Sequence, residues 1–264
     1  MKWWNCLFLV FILAFSAIIA CGCVSQDGKT ESSDEKLLVY CGAGMREPMD
    51  EIAQVFEEKE NIAVYYTYGG SNTLLSQIEL TGTGDIYMPG ATYYFDAAKE
   101  KGYVDEEMLV VYHVPVIATP KGNPAGITSL EDLGNEGVSV ILGDPEACAI
   151  GKLSDKILEK NNLTDLVIPN IVGRTATVNE ICIDISLEQV DAGITWEDLY
   201  NPESMEIVYI PNDENIVKIV PIGCLSVSTN KEGAQKFIEF VTSEEGKEIF
   251  RRHGFTTYPD PKHE

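Results

Sequence analysis

The sequence predicts an α/β protein whose folded part is divided into two lobes. Strand-like runs alternate with helix-like segments, a pattern typical of mostly parallel sheets flanked by helices. Two β-rich runs, residues 108–120 and 216–228, are longer than ordinary strands and are interpreted as crossover strands that form a hinge. We therefore expect a discontinuous first lobe, residues 37–115 and 219–258, and an inserted second lobe, residues 116–218.

In the expected first lobe, each short β-type run is followed by a helical pattern. The predicted strands are residues 37–40, 62–68 and 85–88. Apolar residues at three- and four-residue spacing between Met49 and Phe56 indicate the helix after the first strand. The other predicted helices of this lobe are one that carries Leu74 and Ile78 and is capped by Ser71 or Asn72, then residues 93–101, 232–241 and 243–251.

The expected second lobe has the same alternation. Strands are predicted at residues 138–142 and 192–195, and helices at residues 129–133, 149–160 and 178–187. Because strands and helices alternate in both lobes, helices are expected on both faces of each sheet.

The N-terminal end has the pattern of a secretory leader. The positive pair Met1-Lys2 precedes an almost unbroken apolar run at residues 6–20, which is short for a membrane span and typical of a signal peptide. The run ends in Ile18-Ile19-Ala20-Cys21, which resembles a lipobox. We expect residues 1–20 to be a signal peptide and Cys21 to be lipidated.

Two alternatives stay open at this end of the chain. Cys23 offers a second lipidation position, and an uncleaved leader would itself be a membrane anchor. Residues 21–36 are interpreted as a flexible tether, because from residue 25 onwards they contain no aliphatic or aromatic side chain. The protein is therefore expected as a monomer outside the cytoplasm, held at the outer face of the cell membrane by its lipid alone.

The formal net charge of −23 argues against nucleic acid or an anionic bilayer surface as a partner. An anion can still bind, because local backbone dipoles rather than net charge can hold it. Four cysteines follow the leader without CxxC spacing, so no zinc ribbon or redox motif is indicated, and their pairing is left open.

Glycine-rich or polar turns join strands to helices at four places. These turns are residues 42–44, 69–72, 144–151 and 174–178. At each, the first helical N–H groups lack an intrahelical acceptor and lie at the positive end of the helix dipole. Ligands of open α/β sheets bind beyond the carboxyl ends of the strands, so the four turns together predict a cleft of neutral donors. Such a cleft matches an oxyanion that carries no hydrogen, whereas protonated phosphate would also need an acceptor.

The same turns carry a family pattern. The motif residues are Ser71-Asn72-Thr73-Leu74 with Gln77-Ile78, Gly84-Asp85-Ile86-Tyr87, Gly143-Asp144-Pro145 with Ala149 and Gly151, and Asp191-Ala192-Gly193-Ile194. In order and spacing they resemble the periplasmic molybdate-binding proteins of ABC importers, which have the type II periplasmic-binding fold. The resemblance covers most of the chain after the leader.

The resemblance implies a binding protein, not an enzyme, that captures molybdate or tungstate and delivers it to an ABC importer permease without a cofactor. Carried over by position, the ligand-binding residues are Gly44, Ser71, Ala149, Ile150, Val178 and Trp196. Three positions depart from the family pattern: Gly44 replaces a serine, Trp196 replaces a tyrosine, and Ala149 replaces a proline.

Other ligands and roles remain as alternatives. Tyrosines near the turns, such as Tyr68, Tyr93 and Tyr94, suggest ferric iron, although aromatic residues are common in strands and half-buried helix faces. Asp144 and Glu146 are interpreted as turn or helix caps, with coordination by Glu146 left open. Sulfate, phosphate and a sensor subunit with the same fold are the remaining alternatives. The three histidines are scattered and indicate neither a metal site nor a catalytic triad.

Overall fold

The computed structural model describes residues 35–261 and residue 263 of the 264-residue chain. The predicted signal peptide, Cys21 with its alternative Cys23, and nearly all of the predicted tether lie outside the described residues. Across the part that is described, no helix is long and apolar enough to cross a membrane.

Two sheets and their flanking helices make up the described part of the chain. The strands are β1 (Glu35–Gly42), β2 (Ile62–Gly69), β3 (Ile86–Met88), β4 (Met108–His113), β5 (Pro115–Pro120), β6 (Val140–Gly143), β7 (Ile171–Thr175), β8 (Ala192–Trp196), β9 (Met205–Tyr209), β10 (Lys218–Cys224) and β11 (Thr256–Thr257). The α-helices are α1 (Arg46–Glu60), α2 (Ser71–Thr81), α3 (Thr92–Glu100), α4 (Ala149–Lys160), α5 (Thr164–Val167), α6 (Val178–Ser186), α7 (Lys231–Thr242) and α8 (Glu244–Arg252).

The first sheet has six strands in the order β11-β4-β10-β3-β1-β2. Helices α1, α7 and α8 bury Phe56, Phe237 and Phe250 in one core cluster against this sheet. Helices α2 and α3 bury Leu74 and Phe95 in a second cluster. The apolar spacing read from the sequence therefore marks the buried faces of these helices.

The second sheet has five strands in the order β7-β6-β8-β5-β9. Its core is one continuous cluster that includes Ile141 and Ile194 from the strands and Ile157 and Ile181 from α4 and α6. Two sheets with separate cores confirm the predicted two-lobed α/β class.

Both sheets are mixed, which corrects the expectation that they are mostly parallel. In the first, β1 runs parallel to β2 and β3, whereas β10 runs antiparallel to β3 and β4. In the second, β6 runs parallel to β7 and β8, whereas β5 runs antiparallel to β8 and β9. Strands β5 and β10, which carry the chain between the lobes, enter their sheets from the opposite end. They therefore run antiparallel to the strands of the strand-helix units.

The two long β-rich runs differ in how they connect the sheets. The first divides at Val114 into β4 and β5, which belong to different sheets. The second contributes only β10, so the return passes through irregular backbone at residues 210–217. Asn215 ties the two passages together by donating from Nδ2 to the Pro115 carbonyl oxygen at 2.9 Å. Pro115 and Lys218 each lie one residue across the lobe boundary expected from the sequence, and the full lobe bounds stay a prediction.

Some short elements were not predicted. Strands β7, β9 and β11 have five residues or fewer, and all three lie at sheet edges. Their formation therefore depends on pairing partners more than on the local sequence pattern. The helix expected at residues 129–133 is a 3-10 turn over Glu131–Gly134. The four cysteines of the described region are free thiols.

Candidate ligand-binding site

A small cavity lies between the two lobes, beyond the carboxyl ends of strands from both sheets. Its volume is about 20 Å³, enough for a few atoms but far below the roughly 300–1,000 Å³ of pockets that hold organic ligands. The described residues that line it are Gly42, Ala43, Gly44, Met45, Gly69, Gly70, Ser71, Gly90, His113, Cys148, Ala149, Ile150, Thr177, Val178 and Trp196. No residue of this set has a carboxylate, ammonium or guanidinium group.

Four helical segments begin at the cavity wall, two from each lobe. In the first lobe they are the 3-10 turn Ala43–Met45, which leads into α1, and helix α2. In the second lobe they are α4 and α6. Because the first N–H groups of a helix have no intrahelical acceptor, these starts provide backbone donors around one point.

The N-termini of the four helical segments at the cavity have no side-chain caps. Their N-cap residues, none of which makes a side-chain capping hydrogen bond, are Gly42, Gly70, Cys148 and Thr177. Helices α7 and α8, which lie away from the cavity, are capped conventionally: Asn230 accepts from the Gly233 N–H at 3.0 Å, and Ser243 accepts from the Gly246 N–H at 3.2 Å. Helices α3 and α5 also begin without a side-chain cap, so the missing caps alone do not mark the site. At the cavity, the Asn72 N–H bonds the Ala147 carbonyl oxygen, and the other first-turn N–H groups without a cap can donate to a ligand.

Ser71 adds a hydroxyl donor at the start of α2. Its side chain is buried, with 2% exposed, and its Oγ accepts a hydrogen bond from the Gly90 N–H at 2.9 Å. Tyr87 fixes the backbone below it by donating from its hydroxyl to the Ser71 carbonyl oxygen at 2.8 Å. Since the Gly90 contact uses the oxygen as acceptor, the hydroxyl hydrogen of Ser71 is left to donate into the cavity.

Gly44 and Trp196 meet across the cleft. A Cβ atom on Gly44 would lie 3.4 Å from Trp196 Cδ1, 3.7 Å from Trp196 Nε1 and 3.3 Å from Val178 Cγ1. The indole therefore occupies the space beside Gly44 into which a side chain at that position would project. The small residue in one lobe and the large one in the other are complementary in size.

His113 is a site residue that the sequence analysis missed. It ends β4 at the passage between the lobes, is 1% exposed, and stacks on the Trp196 indole with ring centroids 4.4 Å apart. Its Nδ1 lies 2.9 Å from the Gly90 carbonyl oxygen, which can only accept, so Nδ1 carries the hydrogen. Nε2 is buried and has no hydrogen-bond partner among the described residues. Burial lowers the pKa of the imidazole to about 4, although the hydrogen bond to Gly90 opposes this.

The lobes are closed over the cavity by hydrogen bonds and by a close backbone approach. Asn72 donates from its backbone N–H to the Ala147 carbonyl oxygen at 3.0 Å and from Nδ2 to the Glu146 carbonyl oxygen at 2.7 Å. A Cβ on Gly70 would lie 2.5 Å from the Ala147 oxygen and 2.6 Å from the Ala176 oxygen. Gly70 is therefore required for the lobes to approach this closely.

All six residues carried over from the family pattern line this one cavity: Gly44, Ser71, Ala149, Ile150, Val178 and Trp196. Their role as ligand contacts stays a prediction. The sequence analysis assigned no role to His113, because it lies in an apolar strand and no neighbouring residues complete a metal-binding or catalytic motif with it. The signal that could have found it is its position at the passage between lobes, where a polar residue in a β-rich run is unusual.

The acidic residues beside the cavity have structural partners. Asp144 accepts from the Glu146 N–H through Oδ1 at 2.8 Å and from the Cys148 N–H through its carbonyl oxygen at 3.0 Å. Neither Asp144 nor Glu146 lines the cavity. This arrangement is that of a capped turn.

The tyrosines considered for ferric iron are engaged elsewhere. Tyr68 donates from its hydroxyl to Asp50 Oδ1 at 2.7 Å, and Tyr66 donates to the Met49 carbonyl oxygen at 2.7 Å. Burial raises the pKa of both phenols, as it does for Tyr87 and Tyr94, which opposes the phenolate form that iron needs. No cluster of His, Cys, Asp and Glu suited to a metal ion occurs among the described residues.

Comparisons with known proteins agree with this architecture. YvgL of Bacillus subtilis (strain 168), provisionally named an ABC transporter substrate-binding lipoprotein, is 27% identical over 94% of this chain and 97% of its own length. The molybdate-binding protein ModA of Mycobacterium tuberculosis (strain ATCC 25618 / H37Rv) is 22% identical over 94% and 95% of the two chains. The structure of the sulfate-binding protein SubI from Mycobacterium tuberculosis H37Rv shares the fold with a TM-score of 0.75, at 16% identity and with 87% and 88% covered.

The family model for bacterial extracellular solute-binding proteins matches residues 37–256, which include nearly all of both sheets and every residue that lines the cavity. This chain belongs to the bacterial extracellular solute-binding protein family.

Proposed function

We propose that this protein captures a tetrahedral oxyanion, molybdate or tungstate, between its lobes and delivers it to the permease of an ABC importer. The observation that carries the proposal is the set of four uncapped helix starts around one cavity of about 20 Å³ that no charged side chain lines. A compact dianion offers acceptors in every direction and matches this set of donors.

The size and polarity of the cavity support a small inorganic ligand. Backbone N–H groups, the Ser71 hydroxyl and the Trp196 indole N–H all donate, so an ion whose oxygens all accept satisfies them together. Carboxylates are absent from the lining described above, so a dianion meets no like charge at contact distance. An organic solute would need a larger cavity than the closed lobes leave.

The relatives support an oxyanion-type ligand and leave several competitors, because structures with bound L-phospholactate and fructose-6-phosphate also share the fold. A relative named for molybdate aligns along nearly the whole chain, and the SubI structure, named for sulfate, shares the fold. Sulfate is therefore the second candidate ligand. It is the smaller ion, so it would fill the cavity less completely and lose donor contacts.

Thermal-shift and calorimetric titrations of the full-length chain with molybdate, tungstate, sulfate, phosphate and ferric iron test this proposal. We expect saturable stabilisation by molybdate and tungstate, weaker stabilisation by sulfate, and no chemical conversion of any ligand. Ligand at a hundred times its Kd stabilises the folded state by about 2.7 kcal/mol, which a thermal shift detects readily. A response to ferric iron alone, or to none of the oxyanions, contradicts the proposal.

We further propose that Cys21 carries a lipid anchor that holds the protein outside the cell membrane. The lipobox-like residues before Cys21 support this, as does the naming of YvgL as a lipoprotein. In a Cys21→Ser variant, the protein should be lost from the membrane fraction, whereas the matched Cys23→Ser variant should stay. Mass spectrometry of the mature N-terminal peptide identifies the modified residue. Retention of the Cys21→Ser variant with loss of the Cys23→Ser variant assigns the anchor to Cys23 instead.

A further inference from the structure

His113 Nε2 is the one acceptor atom with an unmet hydrogen bond on a side chain that lines the described cavity. Every other polar side-chain group discussed in the lining donates. Burial removes this acceptor from water without giving it a partner, so Nε2 gains a hydrogen bond when it meets a donor or takes up a proton. Either a hydrogen on the ligand or a proton from solvent can satisfy it.

The surroundings of His113 keep the imidazole neutral when the cavity is empty. The titratable groups on the elements packed around it include Lys218 opposite it on β10 and the Cys148 thiol at the start of α4. Glu197 and Asp198 follow β8, and the Glu197 N–H bonds the Val114 carbonyl oxygen next to His113. Burial raises the pKa of the Cys148 thiol to about 11 and raises the pKa of the Asp198 carboxyl well above its usual range, so neither favours an anion there. Among the described residues no carboxylate hydrogen-bonds the His113 ring, so desolvation dominates and lowers the pKa of the imidazole.

A bound dianion reverses this balance. An opposite charge within about 4–6 Å favours the charged form of a titratable group, and the effect is larger in a closed cavity than in water. The Trp196 indole, stacked on the imidazole at an interplanar angle of 14°, adds the electron-rich face that stabilises a cation. The Gly90 carbonyl holds Nδ1–H in place, so a new proton can be accepted only at Nε2.

We propose that His113 takes up one proton from solvent at Nε2 when a fully deprotonated oxyanion enters the cavity, and that the resulting N–H donates to the ligand. The Nε2 lone pair forms the new N–H bond, and the ligand stays a dianion. Capture of the anion is thereby coupled to capture of one proton. The inference rests on the proposed function, because it requires an oxyanion in this cavity.

Two measurable consequences follow from the coupling. Between the pKa of the free imidazole and that of the complex, Kd rises about tenfold for each unit of pH. Affinity therefore weakens as pH rises, and below about pH 4 the uptake disappears because the free protein already carries the proton. A ligand that brings its own hydrogen, such as a monoprotonated oxyanion, would satisfy Nε2 without net uptake.

Calorimetry of the full-length chain with molybdate, near neutral pH in buffers of different ionisation enthalpy, tests the inference. The slope of observed enthalpy against buffer ionisation enthalpy counts the protons, and we expect about one. The His113→Gln variant should show a slope near zero. The matched control is His253→Gln, because the His253 imidazole contacts Glu51 Oε2 at 2.8 Å outside the cavity. This variant should keep the wild-type slope.

The outcomes separate this inference from the proposed function. Molybdate binding with no proton uptake, or with uptake that persists in His113→Gln, overturns the inference and leaves the proposed function standing. No binding of molybdate, tungstate or sulfate overturns both. If His113→Gln does not fold, NMR of ring-labelled histidine in the wild-type protein decides, since the inference requires one buried imidazole to become imidazolium on molybdate addition.

Discussion

Ser71 shows how a single residue can serve both the fold and a ligand. Its oxygen accepts from the Gly90 N–H, which fixes the turn after β3, while its hydrogen is left for the cavity. Its position at the first residue of α2 also places its own backbone N–H among the uncapped donors.

We expect Ser71→Ala to weaken molybdate binding by about 1–2 kcal/mol, the scale of one hydrogen bond to a charged group. Calorimetric Kd values measure the change. Ser226→Ala is the matched control, because that hydroxyl donates to the Gly102 carbonyl oxygen on the exposed surface of the first lobe. Equal affinity of Ser71→Ala and the wild type would remove this hydroxyl from the site.

The pair Gly44 and Trp196 explains two departures from the family pattern as one. A serine side chain at position 44 would begin with a Cβ 3.4 Å from the indole Cδ1 and 3.3 Å from Val178 Cγ1. The distance to Val178 is slightly tighter than ordinary van der Waals contact, and the distance to the indole is at its lower limit. The aromatic ring in one lobe therefore leaves little room for a larger residue at position 44 in the other.

A double-mutant cycle tests this coupling. Gly44→Ser alone and Trp196→Tyr alone should each weaken molybdate binding, the first by crowding and the second by leaving a gap and losing the indole donor. The double variant should bind more tightly than the sum of the single effects predicts, with an interaction energy of about 0.5–3 kcal/mol. Additive free energies would show that the two positions do not depend on each other.

At the scale of elements, the starts of α2, α4 and α6 determine the site. Helices α4 and α6 begin at Ala149 and Val178, as predicted. Helix α2 begins earlier than predicted: Ser71, expected as a possible cap, is its first residue, and the N-cap is Gly70. The three helices converge because α2 follows a strand of the first sheet and α4 and α6 follow strands of the second. That convergence also brings the backbone of Gly70 against carbonyl oxygens of the opposite lobe.

Gly70→Ala should act as a wedge between the lobes. Gly70 has φ −67° and ψ 143°, an extended conformation that alanine adopts without strain, so the effect reports closure rather than local backbone cost. Backbone oxygens cannot rotate away as a side-chain tip can, and overpacking costs about 1–3 kcal/mol, so molybdate should bind roughly 10–100-fold more weakly.

Small-angle scattering with and without molybdate accompanies the Kd measurement. We expect wild type to become more compact on binding and Gly70→Ala to change less. Gly173→Ala is the matched control, because its new Cβ would approach only the end of the Ile141 side chain within one lobe. Wild-type affinity in Gly70→Ala would show that the lobes need not close this far.

At the scale of the whole molecule, a net charge of −23 opposes the approach of an anion. A local group of lysines has the opposite charge and attracts one. Lys152, Lys156 and Lys218 share a small pocket with Tyr93 and with Ala149, which also lines the cavity. Lys152 Nζ lies 2.6 Å from the Tyr93 hydroxyl and 3.8 Å from the centre of its ring. At physiological salt, charges beyond about 8 Å are largely screened, so we expect these lysines to act on an approaching ligand more strongly than the distant acidic surface does.

Replacing these three lysines by glutamine should lower the association rate of molybdate several-fold at physiological salt and much less at high salt. Stopped-flow measurement of the intrinsic fluorescence change gives the rate. The matched control replaces Lys59, Lys101 and Lys236, which change the net charge equally but pair with Glu245, Glu79 and Glu232 outside the cavity. Equal rates in both triple variants would show that the approach is governed by total charge instead.

The sequence by itself determined the two-lobed α/β class, the helices at the site and, for α4 and α6, the residues at which they begin, because these depend on local apolar periodicity and turn chemistry. The resemblance to a known family supplied the six expected ligand positions, and all six line one cavity. Only the tertiary structure decided the direction of β5 and β10, the pairing of β7 and β9, and the contact of Gly44 with Trp196, since these depend on residues far apart in the chain. His113 belongs to the same class: its burial, its contact with Gly90 and its unpartnered Nε2 arise where segments separated by 23 residues or more meet. The local sequence pattern does not predict which polar atom is left without a hydrogen-bond partner when distant segments pack together.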